Sequence, residues 1–177
     1  MTDITKQWIA GKMKELIRTK PLEKIRIREI CEAAGIDRST FYYHFKDKYE
    51  LIAWMYFHVI RDLDVLDREE SRKALEILKA DAFIFRNGLA ANAQNSLSDY
   101  IKKYYIEYYT HLLCKRTGKE ALDEEMTFQV ELFCSGAVEM MVRWILDNEG
   151  VSAGRYTDLV YRSMPADMHR LCFPDGD

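Results

Sequence analysis

A short polar and aromatic segment near residue 40 carries the side chains best suited to binding nucleic acid. An arginine can bridge the acceptors of guanine or bind a phosphate, and hydroxyls at a helix N-terminus suit phosphate oxygens. A tyrosine ring can touch a thymine methyl while its hydroxyl reaches the backbone. The segment offers Arg38, Ser39, Thr40, Tyr42, Tyr43 and His44, and Lys48 follows at the start of the next predicted helix.

Two short predicted helices and a tight turn position these side chains. Apolar residues recur at helical spacing between Ile27 and Ala34, and Gly35 can take a positive φ where that helix ends. Asp37 is placed to cap the next helix, at residues 38–45. With a first helix at about 3–18, this order predicts a helix-turn-helix unit. The residues expected to pack between its helices are Ile30, Ala34, Ile36, Phe41 and Phe45.

The rest of the chain also has helical periodicity, and no useful strand alternation occurs. Asp47 is expected to cap a long helix ending near residue 67, with Glu50 completing a capping box. Pro165 is expected to kink or split the last helix. The further helices are predicted at about 71–85, 96–116, 120–147 and 156–171. The fold class is therefore all-α.

Composition and charge exclude several classes of protein. No apolar run is long enough for a membrane span, and the N-terminus has no apolar signal segment, so we expect a cytoplasmic protein. Residues 1–50 hold 11 Lys and Arg against 8 Asp and Glu, although the whole chain has a net charge of −3. A basic N-terminal segment followed by an acidic remainder suits a protein that presents one end to phosphates. The scattered cysteines (Cys31, Cys114, Cys134 and Cys172) and histidines indicate reduced, buried thiols and no metal site.

The run from Arg28 to Leu51 resembles the DNA-binding domain of TetR/AcrR-type regulators. It has the family's apolar helix, Ala-Ala-Gly turn, cap, Tyr-x-His-Phe segment and following Lys and Leu. The likeness covers roughly residues 8–55. It implies a helix-turn-helix domain at 1–47 and a helical ligand-binding and dimerisation domain at 48–177.

The resemblance also assigns roles to single residues. Arg38, Ser39, Thr40, Tyr43 and His44 are expected to contact DNA, Tyr42 to divide its ring and hydroxyl between core and phosphate, and Lys48 to bind a phosphate. Two positions depart from the family: Arg26 stands where Thr or Ser is usual, and Ser39 where Gly is common. Arg26 could pair with a phosphate or point into solvent. Arg28 could contact a phosphate or form an ion pair within the protein.

The C-terminal body offers two further candidate sites. An aromatic cluster could line a ligand pocket or belong to ordinary core: Trp54, Phe57, Phe83, Tyr100, Tyr104, Tyr105 and Tyr108. An apolar stripe could pair with a second subunit or pack within one: Phe128, Leu132, Gly136, Met140 and Trp144. Gly136 within a predicted helix favours a close helix crossing.

These features predict a DNA-binding transcriptional regulator that acts as a homodimer on a palindromic operator, located at the nucleoid. Release of a repressor by a small-molecule effector is the commoner mode that the resemblance implies. Residues 92–101 also resemble a segment of dihydroxyacetone-kinase operon regulators, some of which are activators with a protein partner. A helical interaction module with a vestigial DNA-binding head is the alternative. No cofactor and no nucleophile or phosphate loop of an enzyme is expected.

Overall fold

The computed structural model describes residues 2–85, 97–147 and 150–174, and every regular element within them is helical. The predicted all-α class is therefore confirmed. No helix among the described residues is both long and apolar enough to cross a bilayer. In chain order the helices are α1 (Thr2–Ile17), a 3-10 turn (Leu22–Lys24), α2 (Ile27–Ala34), α3 (Arg38–His44), α4 (Lys48–Ile60), α5 (Arg68–Ala80), α6 (Leu97–Thr117), α7 (Glu124–Asp147), α8 (Ala153–Arg162) and α9 (Ala166–Cys172).

The chain forms two compact units. The first contains residues 1–62 and 77–100, and the second contains residues 63–76 and 101–177. The first unit thus includes α4, although the sequence placed a domain boundary after residue 47. Residues 92–96 of the segment compared above with the kinase-operon regulators lie outside the described part of the chain.

The first unit is built on buried side chains from all four N-terminal helices. α1 packs on α2 and α4, and α2 packs on α3. The edge of the Trp54 ring on α4 meets Phe45, with centroids 6.0 Å apart. That contact places α4 against the end of α3. The side chains with under 2% exposure here include Ile9, Met13, Leu22, Ile25, Ile30, Phe41, Leu51, Ile52 and Tyr56, together with Ile84 and Leu78.

The second unit has its own core between α6, α7 and α9. Phe133 meets the edge of Tyr109 at 5.9 Å between centroids. Leu113, Val130 and Met168 are fully buried beside them. Two thiols belong to this core: burial raises the pKa of Cys134 to about 12 and that of Cys172 to about 11. All four cysteines are free, three are buried, and Cys114 is half-buried.

Side chains of α8 hold the segment 63–76 to the second unit. The Tyr161 hydroxyl donates to the Val65 carbonyl at 2.9 Å. The Arg68 guanidinium lies 5.0 Å from the centre of the Tyr161 ring and 3.6 Å from the Asp158 carboxylate. The start of α5 is therefore fastened by an aromatic hydroxyl, a cation–π contact and an ion pair.

Several helix ends differ from the sequence prediction because short side chains satisfy the local backbone. α4 ends at Ile60 instead of near 67, and Asp64 Oδ1 then accepts from the Leu66 N–H at 2.9 Å. α5 begins at Arg68, before the predicted Ser71, since Asp67 caps the Glu70 N–H at 2.8 Å. Pro165 splits the last predicted helix into α8 and α9.

The two predicted caps around α3 behave differently. The Asp47 carboxylate accepts from the backbone N–H groups of Tyr49 and Glu50, both at 2.8 Å. The Glu50 side chain accepts from the Lys46 N–H, one residue before the position of a regular capping box. Asp37 was expected to cap α3, but its side chain makes no capping hydrogen bond.

Asp47→Ala should therefore destabilise the protein more than Asp37→Ala. Loss of a working N-cap costs about 1 kcal/mol, because two helix amides lose their acceptor. Urea unfolding of the two variants and the parent protein measures both changes. An equal loss in the two variants would contradict the assignment of Asp47 as the only one of these two aspartates that caps a helix.

Candidate DNA-binding surface

The turn between α2 and α3 sets the direction of the second helix. Gly35 adopts φ +65°, in the left-handed region. Its N–H donates to the Glu32 carbonyl at 3.3 Å, and the Ile36 N–H donates to the Cys31 carbonyl at 3.0 Å. This is a Schellman-type end, in which a positive φ lets the chain reverse while the last carbonyls stay paired. The prediction that Gly35 ends α2 is confirmed.

α3 divides into a buried and an exposed face. Phe41 and Phe45 are 0% and 2% exposed, as their i and i+4 positions require. Tyr42 and Tyr43 are 54% and 80% exposed. Arg38 and Ser39 are also exposed, whereas Thr40 and His44 are half-buried. Tyr42 still touches the Phe41 ring edge at 5.7 Å, so its ring leans on the core while remaining accessible.

His44 has less freedom to bind a ligand than its neighbours. Its ring meets the edge of Tyr43 with centroids 5.0 Å apart. Its Nδ1 atom is buried and has no hydrogen-bond partner within the described residues. Only the remainder of the ring is open to a DNA group.

Two arginines predicted to contact DNA lie on α2 or at its start. Arg26 is the exposed N-cap residue, and its backbone N–H donates to Glu29 Oε2 at 2.8 Å. The Arg28 Nε donates to Glu32 Oε1 at 2.7 Å, and its side chain is 72% exposed. An exposed i,i+4 pair of this kind contributes little to stability and opens readily. Arg28 is therefore ion-paired in the free protein.

A polar groove of about 510 Å³ brings residues of α2 and α3 together. Its lining includes Arg28 and Glu32 from α2, and Asp37 and Arg38 from the start of α3. Arg28 and Arg38, two of the three arginines predicted to contact DNA, thus line one depression beside the turn. Across the described residues, no group of three or more His, Cys, Asp or Glu side chains is placed to hold a metal ion.

Lys48 begins α4 and is half-buried. Its ammonium donates to three backbone carbonyls, those of Leu22 at 2.7 Å, Glu23 at 3.1 Å and Ile25 at 2.9 Å. Desolvation lowers the pKa of Lys48. The ammonium thus lies against the turn before α2 in the chain without DNA, and its contact with a DNA phosphate stays a prediction.

Sequence reasoning missed one further anchor of the surface. The Trp8 indole N–H on α1 donates to the Ala34 carbonyl at the end of α2, at 2.9 Å. Lys12 lies over the same ring at 4.9 Å from its centre. Trp8 is 54% exposed, and no spacing in the sequence signalled that its indole N–H serves another helix.

The aromatic residues predicted for a ligand pocket are divided between the two units. Trp54, Phe57, Phe83 and Tyr100 belong to the first unit, and Tyr104, Tyr105 and Tyr108 belong to the second. Within the first, Trp54 stacks on His58 at 4.7 Å between centroids. Within the second, Tyr104 and Tyr108 stack at 6.4 Å, and burial raises the pKa of Tyr108 to about 12.

The residues predicted for a dimer interface divide by exposure. Phe128, Leu132 and Met140 are 65%, 62% and 51% exposed, and Gly136 is exposed between them. Trp144 does not share that face: it is buried, stacks on Tyr156 at 5.2 Å, and donates its indole N–H to the Val151 carbonyl at 2.8 Å. Trp144 therefore belongs to the core and is not part of the exposed stripe of α7.

The comparisons with known proteins agree with this geometry. Residues 14–55 match the family described as "Bacterial regulatory proteins, tetR family", and residues 69–164 match one described as "Transcriptional regulator C-terminal region". No match to the chain was found among curated proteins.

A solved structure of the "Dihydroxyacetone kinase operon activator DhaS" is similar in fold, with a TM-score of 0.57 and 17% sequence identity. The match covers 93% of this chain and 96% of that one. The family match at residues 14–55 contains α2, the Gly35 turn and α3, and the family match at residues 69–164 spans more than half of the chain. The chain is a DNA-binding transcriptional regulator and belongs to the TetR family of bacterial regulatory proteins.

Proposed function

We propose that this regulator is a homodimer that binds a palindromic operator through α3 and represses transcription until an effector binds. The observation that carries the proposal is the outer face of α3, where Arg38, Ser39, Tyr42 and Tyr43 are exposed while Phe41 anchors the helix. Exposed polar and aromatic groups on a rigidly packed short helix are what base reading in the major groove requires.

We assign the DNA contacts by chemistry. Arg38 reads a base, because a guanidinium can bridge the two major-groove acceptors of guanine. Ser39 and Thr40 serve phosphate oxygens at the helix N-terminus, and Tyr43 reaches a thymine methyl or a phosphate. Arg26 and Arg28 add backbone contacts, for which Arg28 must leave Glu32. His44 contributes the open part of its ring.

The exposed stripe of α7 supports dimerisation. Phe128, Leu132 and Met140 recur at i, i+4 and i+12 on one face, with Gly136 between them. Contiguous exposed apolar side chains on a soluble chain mark an interaction surface. A second copy of α7 crossing at Gly136 would bury them, since no side chain there keeps the backbones apart.

We place the effector site at the aromatic side chains of α6. The stacked Tyr104 and Tyr108 rings on α6 supply flat apolar surface with hydroxyl groups, which suits a small aromatic or polar organic ligand. An effector bound there would favour one separation of the two helix-turn-helix domains of the dimer over another. We assign no catalytic step to this chain.

Genome-fragment selection with the purified protein, read against a salt titration, tests the function. Recovery of one palindromic site with affinity that falls steeply as salt rises is the expected result. A reporter placed behind that site then gives the sign of regulation, which matters because the similar fold named above is that of an activator. Absence of salt-dependent DNA binding, both with and without cell extract, would indicate that the helix-turn-helix domain does not bind DNA and would refute the proposal.

Arg38→Ala should weaken operator binding and relax base preference at one position of each half-site. Loss of a bidentate base contact costs about 1–3 kcal/mol, because the guanine acceptors lose their partner. Binding to the operator and to single-base variants measures both effects. Arg116→Ala, an exposed arginine of the second unit, is the matched control and should bind as the parent does. If Arg38→Ala binds with the operator affinity and base preference of the parent, Arg38 does not contact a base.

Leu132→Glu should convert the dimer to a monomer. Burying a carboxylate at both copies of a two-fold interface raises the dimer dissociation constant on the order of 100-fold or more. Analytical ultracentrifugation over a concentration series measures it. Ile4→Glu, which charges an exposed apolar position on α1, should leave the dimer intact. A Leu132→Glu protein that stays dimeric would place the interface elsewhere.

A further inference from the structure

Asp37 carries a carboxylate that does not cap the helix it precedes. The residue is the N-cap of α3 and has extended backbone, with φ −77° and ψ 158°, yet its side chain makes no capping hydrogen bond and is exposed. Asp47, at the corresponding place before α4, accepts from two helix amides. Capping by aspartate is ordinarily favourable by about 1 kcal/mol. The Asp37 carboxylate is therefore accessible for a contact with another molecule.

The groove beside the turn holds two guanidinium groups and two carboxylates. Its lining contains Arg28, Glu32, Asp37 and Arg38. Arg28 and Glu32 already pair with each other, since Arg28 Nε donates to Glu32 Oε1 at 2.7 Å. The charges that remain belong to Asp37 and Arg38, which are adjacent in the chain where α3 begins.

The charges of Asp37 and Arg38 act on one buried thiol in this groove. Cys31 is 4% exposed and lies in the lining with both residues. Burial raises the pKa of the Cys31 thiol, the positive charge of Arg38 opposes that shift, and the negative charge of Asp37 adds to it. A hydrogen-bond donor and an acceptor therefore stand side by side at the first turn of the exposed helix.

A carboxylate beside a DNA-reading helix has two opposite effects on binding. The phosphates of any duplex repel it. At a base edge, however, it can accept a hydrogen bond from an exocyclic amino group, which cytosine presents at N4 and adenine at N6 in the major groove. Repulsion acts on every sequence, whereas the hydrogen bond forms only where an amino group is in reach. Together the two effects increase the discrimination between sequences.

We propose that Asp37 is a specificity-determining residue of the operator complex: its carboxylate accepts from the amino group of a cytosine or adenine beside the base that Arg38 reads. This inference rests on the proposed binding of α3 in the major groove. Arg38 donates and Asp37 accepts, so these two residues read groups of opposite hydrogen-bonding character on neighbouring base pairs. On DNA that lacks the amino group, the carboxylate loses water without gaining a partner and lowers the affinity.

Asp37→Ala tests this role, because it removes the acceptor from a helix start that has no side-chain cap to lose. Asp62→Ala is the matched control: it removes the same charge from the first unit, where the Asp62 side chain is 83% exposed. Asp62 lies beyond the 13 residues of α4, a helix about 20 Å long, and so far from the start of α3. Urea unfolding at the parent's midpoint shows that Asp37→Ala is folded.

Binding is measured on the selected operator, on its single-base variants and on an unrelated duplex. In Asp37→Ala, operator affinity should fall about tenfold, as for loss of one hydrogen bond to a charged acceptor. Affinity for the unrelated duplex should rise about twofold to fivefold, because a charge that repels phosphates is removed. Asp62→Ala should bind every duplex as the parent does.

The single-base variants identify the amino group that Asp37 contacts. The parent should require cytosine or adenine at one base of each half-site, and the better bound of the two names the base. Asp37→Ala should accept all four bases at that position.

Two results would overturn the role of Asp37. If Asp37→Ala keeps the parent's base preference at every position of the half-site, the carboxylate contacts no base. If affinity changes equally on the operator and the unrelated duplex, the residue acts through its charge alone. A parent protein without salt-dependent DNA binding would instead refute the proposed function and this inference with it, whereas the first two results leave the proposed function standing.

Discussion

The candidate DNA-binding surface on α3 depends on the burial of two phenylalanine rings. α3 has seven residues, which is about two turns and well below the length at which a helix is stable alone in water. Phe41 and Phe45 insert into the first unit and leave almost no exposed area, so packing supplies the stability that the short helix lacks. The burial of these two rings fixes the positions of the exposed side chains on the opposite face of α3.

Polar side chains then fix the elements around α3 by donating to backbone carbonyls at helix ends. The Trp8 indole does so at the end of α2, and the Lys48 ammonium at the turn before it. The Ala34 carbonyl stands at the end of α2, where the last carbonyls of a helix lack intrahelical partners, and the Leu22 carbonyl lies in the 3-10 turn before α2. The same two contacts satisfy the backbone and restrict how α2 can move relative to α1 and α4. A surface that reads base edges benefits from this restriction, because misplacement of the reading groups costs specificity.

The second unit uses the same device within its own core. The Tyr156 hydroxyl donates to the Ala137 carbonyl at 3.0 Å, and the Trp144 indole donates to the Val151 carbonyl at 2.8 Å. These bonds turn one side of α7 toward α8, while the side with Phe128 and Leu132 stays exposed. One helix thus carries a core face and, among the described residues, an exposed apolar face, which is the arrangement that a subunit interface requires.

The sequence by itself determined the helical class, the turn at Gly35 and the inward positions of Phe41 and Phe45. Periodicity and the need for a positive φ are local properties that a chain expresses wherever it folds. The match of residues 14–55 to the family agrees with that part of the prediction. The sequence pattern did not predict which of several possible partners a polar side chain contacts.

The tertiary structure alone decided which of Asp37 and Asp47 caps a helix, which ring of the α7 stripe is buried, and where the Lys48 charge goes. Asp37 and Asp47 occupy equivalent positions in the sequence pattern, yet only Asp47 accepts from helix amides. Lys48 precedes an apolar helix like many surface lysines. Its three acceptors lie more than twenty residues earlier in the chain. Such partners are defined by distance in space, so no spacing along the chain reveals them.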